Sequence, residues 1–247
     1  MSHRLCLTAA GAAFTATATL AACTPMDIVE ATPKAVPTTY PAAAGPLMSA
    51  TPALKALDEL PVKDRAPKTG YSRDQFGPAW SDDSTAPDSH NGCSTRDDVL
   101  ARDLSDVVRD GPCTVVSGVL HDPYTATAIA FTRGVETSLA VQIDHIVPLS
   151  LSWQTGAQQL SAAERLNLAN DPLNLAAVDG PTNGAKRDGD AATWLPPNKE
   201  IRCGYAMRQV EVKTKYRLWV TPPEKDALRR VLGGCPGPAL PGEGAST

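Results

Sequence analysis

Asp144 and His145 stand side by side in Val141-Gln142-Ile143-Asp144-His145-Ile146-Val147-Pro148, and asparagines follow downstream at Asn174 and Asn183. A carboxylate and an amide can hold one hard cation through oxygen, and an imidazole with a reference pKa of about 6.5 can take a proton from water near neutrality. Cutting a phosphodiester requires an activated water, a charge sink for the leaving oxygen and in-line geometry. In a regular strand Asp144 and His145 point to opposite faces, so a bulge or a strand end is needed to turn both towards one site. Oxygen donors from Asp144 and Asn183 suit Mg²⁺ first and Mn²⁺ next, and zinc less well. Lys186 and Arg187 follow Asn183 within one helical turn and are candidate nucleic-acid contacts. Arg133, just ahead of Gly134, reads equally as a phosphate grip and as a solvated turn arginine. His121 sits in a turn, His121-Asp122-Pro123, and reads as structural, and His90 lies in a polar loop.

The elements that must position these groups follow from periodicity and punctuation. Leu54, Leu57 and Leu60 give helical turns ended by Pro61. Ser94 or Thr95 caps a helix expected to run to about Arg109, with Val99, Leu100, Leu104, Val107 and Val108 on one face, stopped by Gly111-Pro112. Residues 113–120 and 128–132 are β-branched and apolar and read as strands, as do 141–147 and 173–178. Between the last two lies a short helix over 161–170. Helices are expected after Pro181, over about 199–218, and from Thr221-Pro222-Pro223-Glu224, a capping box, through Leu232. The fold class is therefore α+β: a single domain over 51–236 whose strand–strand–helix unit carries the chemistry, surrounded by helices and short strands.

With those elements in place, Asp144-His145-Ile146-Val147-Pro148-Leu149-Ser150, Asn174-Leu175 and Asn183-Gly184-Ala185-Lys186-Arg187-Asp188 resemble the ordered motif of HNH endonucleases, which carry a ββα-metal unit. Tyr71-Ser72-Arg73-Asp74, Asn91-Gly92-Cys93, Asn170-Asp171-Pro172 and Trp194-Leu195-Pro196-Pro197 are similar to a secreted bacterial branch related to the nuclease domain of GmrSD-type restriction enzymes. The resemblance spans roughly residues 52–235 and implies Asp144 and Asn183 on the metal, His145 as general base, and Asn174 tying the loop that orients His145. It also implies Lys186 at a phosphate. Asn170, four residues before Asn174, competes for the middle role. His145 and Asn174 are farther apart than in compact HNH units because a helical insertion separates them.

Location is written at the chain's start. Arg4 precedes an apolar run to Leu20 that fits an export signal and is too short for a comfortable membrane span. It closes on Leu20-Ala21-Ala22-Cys23, which looks like a lipobox that would place lipid on Cys23 of the mature chain; cleavage near Ala16-Thr17-Ala18 with free release is the alternative. Residues 1–23 are thus expected to be the signal peptide, 24–50 a Pro/Ala/Thr-rich disordered tether and 237–247 a disordered tail. Cys93, Cys113, Cys203 and Cys235 contain no Cys-x-x-Cys pair, and in an oxidising compartment two disulfides are expected. Three pairings are possible; Cys93–Cys113 with Cys203–Cys235 closes the modest loops.

A formal net charge of -4 does not describe a protein that coats nucleic acid by bulk charge. The run from Asn183 to Arg230 nevertheless holds eleven Lys or Arg against six acids, either a basic face beside the catalytic helix or a solvated one. The expected activity is that of an exported, metal-dependent endonuclease of low sequence specificity, acting on nucleic acid, DNA first, as a monomer that is either membrane-anchored or released. The competing expectation is a non-catalytic, surface-anchored module on the same scaffold, binding nucleic acid or an envelope partner.

Overall fold

Leu54 and Leu57 do become helical: α1 spans Ala50–Glu59 and buries Ala53 and Leu57, with Leu60 extended as its C-cap ahead of Pro61. The structure, a computed structural model, describes residues 48–236. The expected signal peptide, Cys23, all of the tether before Met48 and the 237–247 tail lie outside the described residues. α1 packs on α6 (Arg202–Lys215) and α7 (Pro222–Gly233) through Leu57, Leu60, Val210, Leu228 and Leu232. The expected capping box opens α7, with Thr221 and Glu224 each accepting from the other's backbone N–H. A disulfide from Cys203 to Cys235 joins the start of α6 to the end of α7.

α2 (Thr95–Asp103) starts from the Ser94 cap but does not run to Arg109; residues Leu104–Asp110 are instead strand β1. The helical expectation rested on Leu104, Val107 and Val108 falling on one helix face. The β-branched valines fit a pleated ladder, and the turn at Gly111-Pro112 brings β2 (Thr114–His121) alongside as partner. β3 (Ala128–Thr132) completes a β1-β2-β3 antiparallel sheet, and the Cys93–Cys113 disulfide ties the loop before α2 to the foot of β2. Both disulfides are those expected from the short loops.

β4 (Val141–His145) and β5 (Leu175–Asp179) form a second, two-stranded antiparallel sheet in unbroken register from Val141↔Asp179 to His145↔Leu175. The strand stops two residues earlier than expected because Ile146 and Val147 turn to donate to the backbone oxygen and Oδ1 of Asn174. Between the strands lie α3 (Leu149–Gln154) and α4 (Ala162–Asn170). α5 (Gly180–Lys186) follows β5 directly, capped by Asp179, with Pro181 in its first turn. Gly180 is required there, since a Cβ would lie 2.0 Å from the Leu139 carbonyl oxygen.

Alternation along the two strands sorts their side chains. Val141, Ile143, Leu175 and Ala177 face a core made with Val99, Leu100, Leu120 and Phe131. Ala176 and Val178 face another made with Tyr124, Ile201 and Tyr205. The second sheet is therefore covered on both sides. Among the described residues no helix is long and apolar enough to cross a membrane.

Candidate active site at the end of strand β4

His145 is the last residue of β4, and that position lets it and Asp144 border one cleft although their side chains leave the strand on opposite faces. The strand is regular, so the strand end alone meets the condition. The cleft encloses about 400 Å³ and is bordered also by Arg73, Asn183 and Arg187. His145 is buried, with Nε2 2.9 Å from the carbonyl oxygen of Ala169 at the end of α4. A carbonyl only accepts, so Nε2 carries the proton and Nδ1 keeps its lone pair. Nδ1 has no protein partner among the described residues. Trp80 lies over the ring, centroids 5.9 Å apart and 14° from parallel. Burial lowers the imidazole pKa to about 4, outweighing the Ala169 bond and the Asp144 charge that raise it, and Arg73 and Lys186 lower it further. The ring is neutral at ordinary pH.

Asp144 Oδ2 accepts from Tyr124 Oη and from Lys186 Nζ, each at 2.5 Å. Lys186 Nζ also donates to the carbonyl oxygens of His145 at 2.7 Å and Ile146 at 3.3 Å, filling its three donor positions. Burial pulls the ammonium's pKa below its ordinary value while Asp144 pulls it back. Asp144 Oδ1 has no protein partner among the described residues. Asn183 donates through Nδ2 to Gln142 Oε1 at 3.0 Å, which orients the amide and leaves its oxygen without one. Two oxygens on one cleft therefore remain open. They fit a hard cation that keeps several waters and takes further oxygens from a phosphate. Among the described residues no cluster of three His, Cys, Asp or Glu side chains could hold a metal, which does not fit a closed zinc site.

Asn174 is fully buried and stands behind the cleft. Its Oδ1 accepts from Val147 N at 2.8 Å, and its Nδ2 donates to Leu168 O at 3.2 Å and Val147 O at 3.4 Å, so it fastens the segment that leaves His145. Asn170 donates to Leu166 O within its own helix and lines a small pocket beside His145 and Trp80.

The family described as GmrSD restriction endonucleases, C-terminal domain, matches residues 94–231, more than half of the chain and the whole stretch from Asp144 to Lys186. The chain belongs to this family. An uncharacterized secreted protein of the fungus Arthroderma benhamiae is 37% identical over 209 residues, covering 84% of this chain and 94% of its own. No solved structure matches.

Within this GmrSD-type domain the cations divide by use. Lys186 is inside, on Asp144, and not at the surface of the cleft. Arg187 is exposed on the cleft's border. The structure does not bring Arg133 to the cleft: it pairs with Asp97 and donates to Val115 O at 2.7 Å. The basic run after Asn183 is no open face either. Lys213 is buried on Glu224, Arg208 is buried on the carbonyls of Pro172, Leu173 and Leu175, and Lys215 and Arg217 pair with Asp171 and Glu164. Sequence reasoning missed Tyr124, Trp80 and Arg73 as parts of the site. Arg73 lies in Tyr71-Ser72-Arg73-Asp74, a segment quoted for the family likeness, and that was the available signal.

Proposed function

We propose that this chain is an exported, metal-dependent endonuclease of the HNH type, with β4, β5 and α5 as its ββα unit, hydrolysing phosphodiester bonds in nucleic acid, DNA first. The observation that carries the reading is the His145 imidazole, anchored through Nε2 with Nδ1 left for the cleft that also holds the open oxygens of Asp144 and Asn183. Membership of a restriction-endonuclease family points the same way.

In this mechanism His145 Nδ1 accepts the proton of the attacking water, and its low pKa keeps it unprotonated. Asp144 and Asn183 would hold a divalent cation, Mg²⁺ before Mn²⁺, which would supply positive charge at the leaving 3′ oxygen. Tyr124 and Lys186 aim the Asp144 carboxylate through its Oδ2. Asn174 fixes the turn after the base. Export is supported by the signal-like start, the two disulfides and the secreted relative; lipid on Cys23 belongs to the same proposal.

The mature chain incubated with plasmid should nick it in Mg²⁺ and not in EDTA. His145→Ala should lose at least about 10²-fold in rate with its melting transition kept. Near-wild-type cleavage by that variant would sink the mechanism.

A further inference from the structure

Most arginines in the described residues are committed to carboxylates or carbonyls. The guanidiniums that make no hydrogen bond or ion pair there are those of Arg73, Arg96, Arg187 and Arg230. Arg73 and Arg187 border the cleft described above. Arg73 and Arg96 together border a second groove, of about 440 Å³, whose other walls include Trp80, Ser138, Gln142 and Asn183. The groove and the cleft share Arg73, Ile143 and Asn183, so one runs into the other past β4.

Arg96 is the unusual member. It is half-buried in the first turn of α2, and burial lowers its pKa, with Arg133 lowering it further and Asp97 raising it. Asp97 makes no hydrogen bond or ion pair with it; that carboxylate accepts instead from Arg133, Val115 N and Ser94 Oγ. A half-desolvated guanidinium without an acceptor is held at a cost that an arriving phosphate would remove. Trp80 is fixed next to it, because Thr95 donates its N–H to Trp80 O and its hydroxyl to Ser81 O. Trp80 holds φ at +57°, a conformation bulky residues rarely adopt, and it places the indole between His145 and the groove.

We propose that this groove binds the nucleotide next to the scissile phosphate, with Arg73 and Arg96 gripping its phosphate and Trp80 walling its nucleoside. The proposal rests on the nucleic-acid substrate put forward above and names where the strand leaves the site. Guanidinium forks match phosphate oxygens, and aromatic walls take any base, so the groove gives length dependence without sequence preference.

The test uses the mature chain with Arg96→Gln, which keeps the side chain's bulk, and Arg96→Lys, which keeps its charge; melting curves check the fold. In a His145→Ala background, binding of a labelled oligodeoxynucleotide is followed against salt. Arg96→Gln should weaken binding about tenfold, the scale of one charge-assisted contact, and lower the salt slope by about one, while Arg96→Lys keeps the slope. In the active chain Arg96→Gln should slow nucleic-acid cleavage and leave hydrolysis of bis(p-nitrophenyl) phosphate, which has no neighbouring nucleotide, unchanged. Unchanged oligonucleotide binding, or equal slowing of both substrates, overturns the groove. If the wild-type chain hydrolyses neither substrate yet binds the oligonucleotide through Arg96, the groove stands and the catalytic reading falls.

Discussion

Strand β1 leaves most of its side chains partly or fully in water, with Val108 53% exposed, whereas β4 hides all but Gln142. Yet β4 carries the acid and the imidazole. A two-stranded sheet has little stability of its own, so β4–β5 depends on what covers its two faces. Polar groups placed there must each find a partner inside, and they do: Asp144 on Tyr124 and Lys186, His145 on Ala169, Asn174 on Val147 and Leu168. The difference teaches that the site's chemistry and the sheet's stability are the same set of bonds, while the exposed positions of β1, such as Val108, belong to neither.

Lys186→Ala should break this contrast most severely. It strips the ammonium from a buried carboxylate and from two carbonyls, a change on the scale of about 3–5 kcal/mol. Urea unfolding of the mature chain measures it, and a loss under about 1 kcal/mol would mean the pair is not what holds the β4 end. A pH series in EDTA gives the next effect. The His145 pKa is near 4 folded and about 6.5 unfolded, so between those values the unfolded chain takes a proton that the folded chain refuses. Its contribution should be complete above about pH 6.5 and fade as pH falls towards 4, by on the order of 3 kcal/mol. His145→Asn should lack that slope; identical slopes would show that burial does not depress the imidazole. On β1, Val108→Thr should stay within about 0.5 kcal/mol. A clear loss there would erase the distinction between the two sheets.

The same contrast explains what could be read from the chain. Caps and stops were legible because they are local chemistry: Ser94 and Thr221 cap the helices they precede, and Pro61 follows α1. β4, β5 and α5 were legible from apolar runs and a Gly-Pro start. The end of α2 was not, because Leu104, Val107 and Val108 satisfy a helical face as well as a strand, and only pairing with β2 decides. At the site, the sequence named Asp144, His145, Asn174 and Asn183, and the fold gathers all four at or just behind one cleft. It did not reveal Tyr124, Trp80 or Arg73, which come from loops or single turns with no period to detect. Nor did it reveal that Lys186 points inward: a lysine beside an arginine reads as surface until the carboxylate across from it is placed.

The pairing of His145 with Leu175 across the long excursion through α3 and α4 has a kinetic consequence. Contacts that distant in sequence form only after loop-closure entropy has been overcome, so they belong to the slow, non-local part of folding. The carbonyl that fixes the His145 tautomer, at Ala169, lies near the far end of that excursion. On the nuclease reading, a chain still threading through an export pore, or caught half-folded, has the base but not the tautomer lock, and so cannot cut. Activity would await that closure, as a clasp shuts only when its two ends meet.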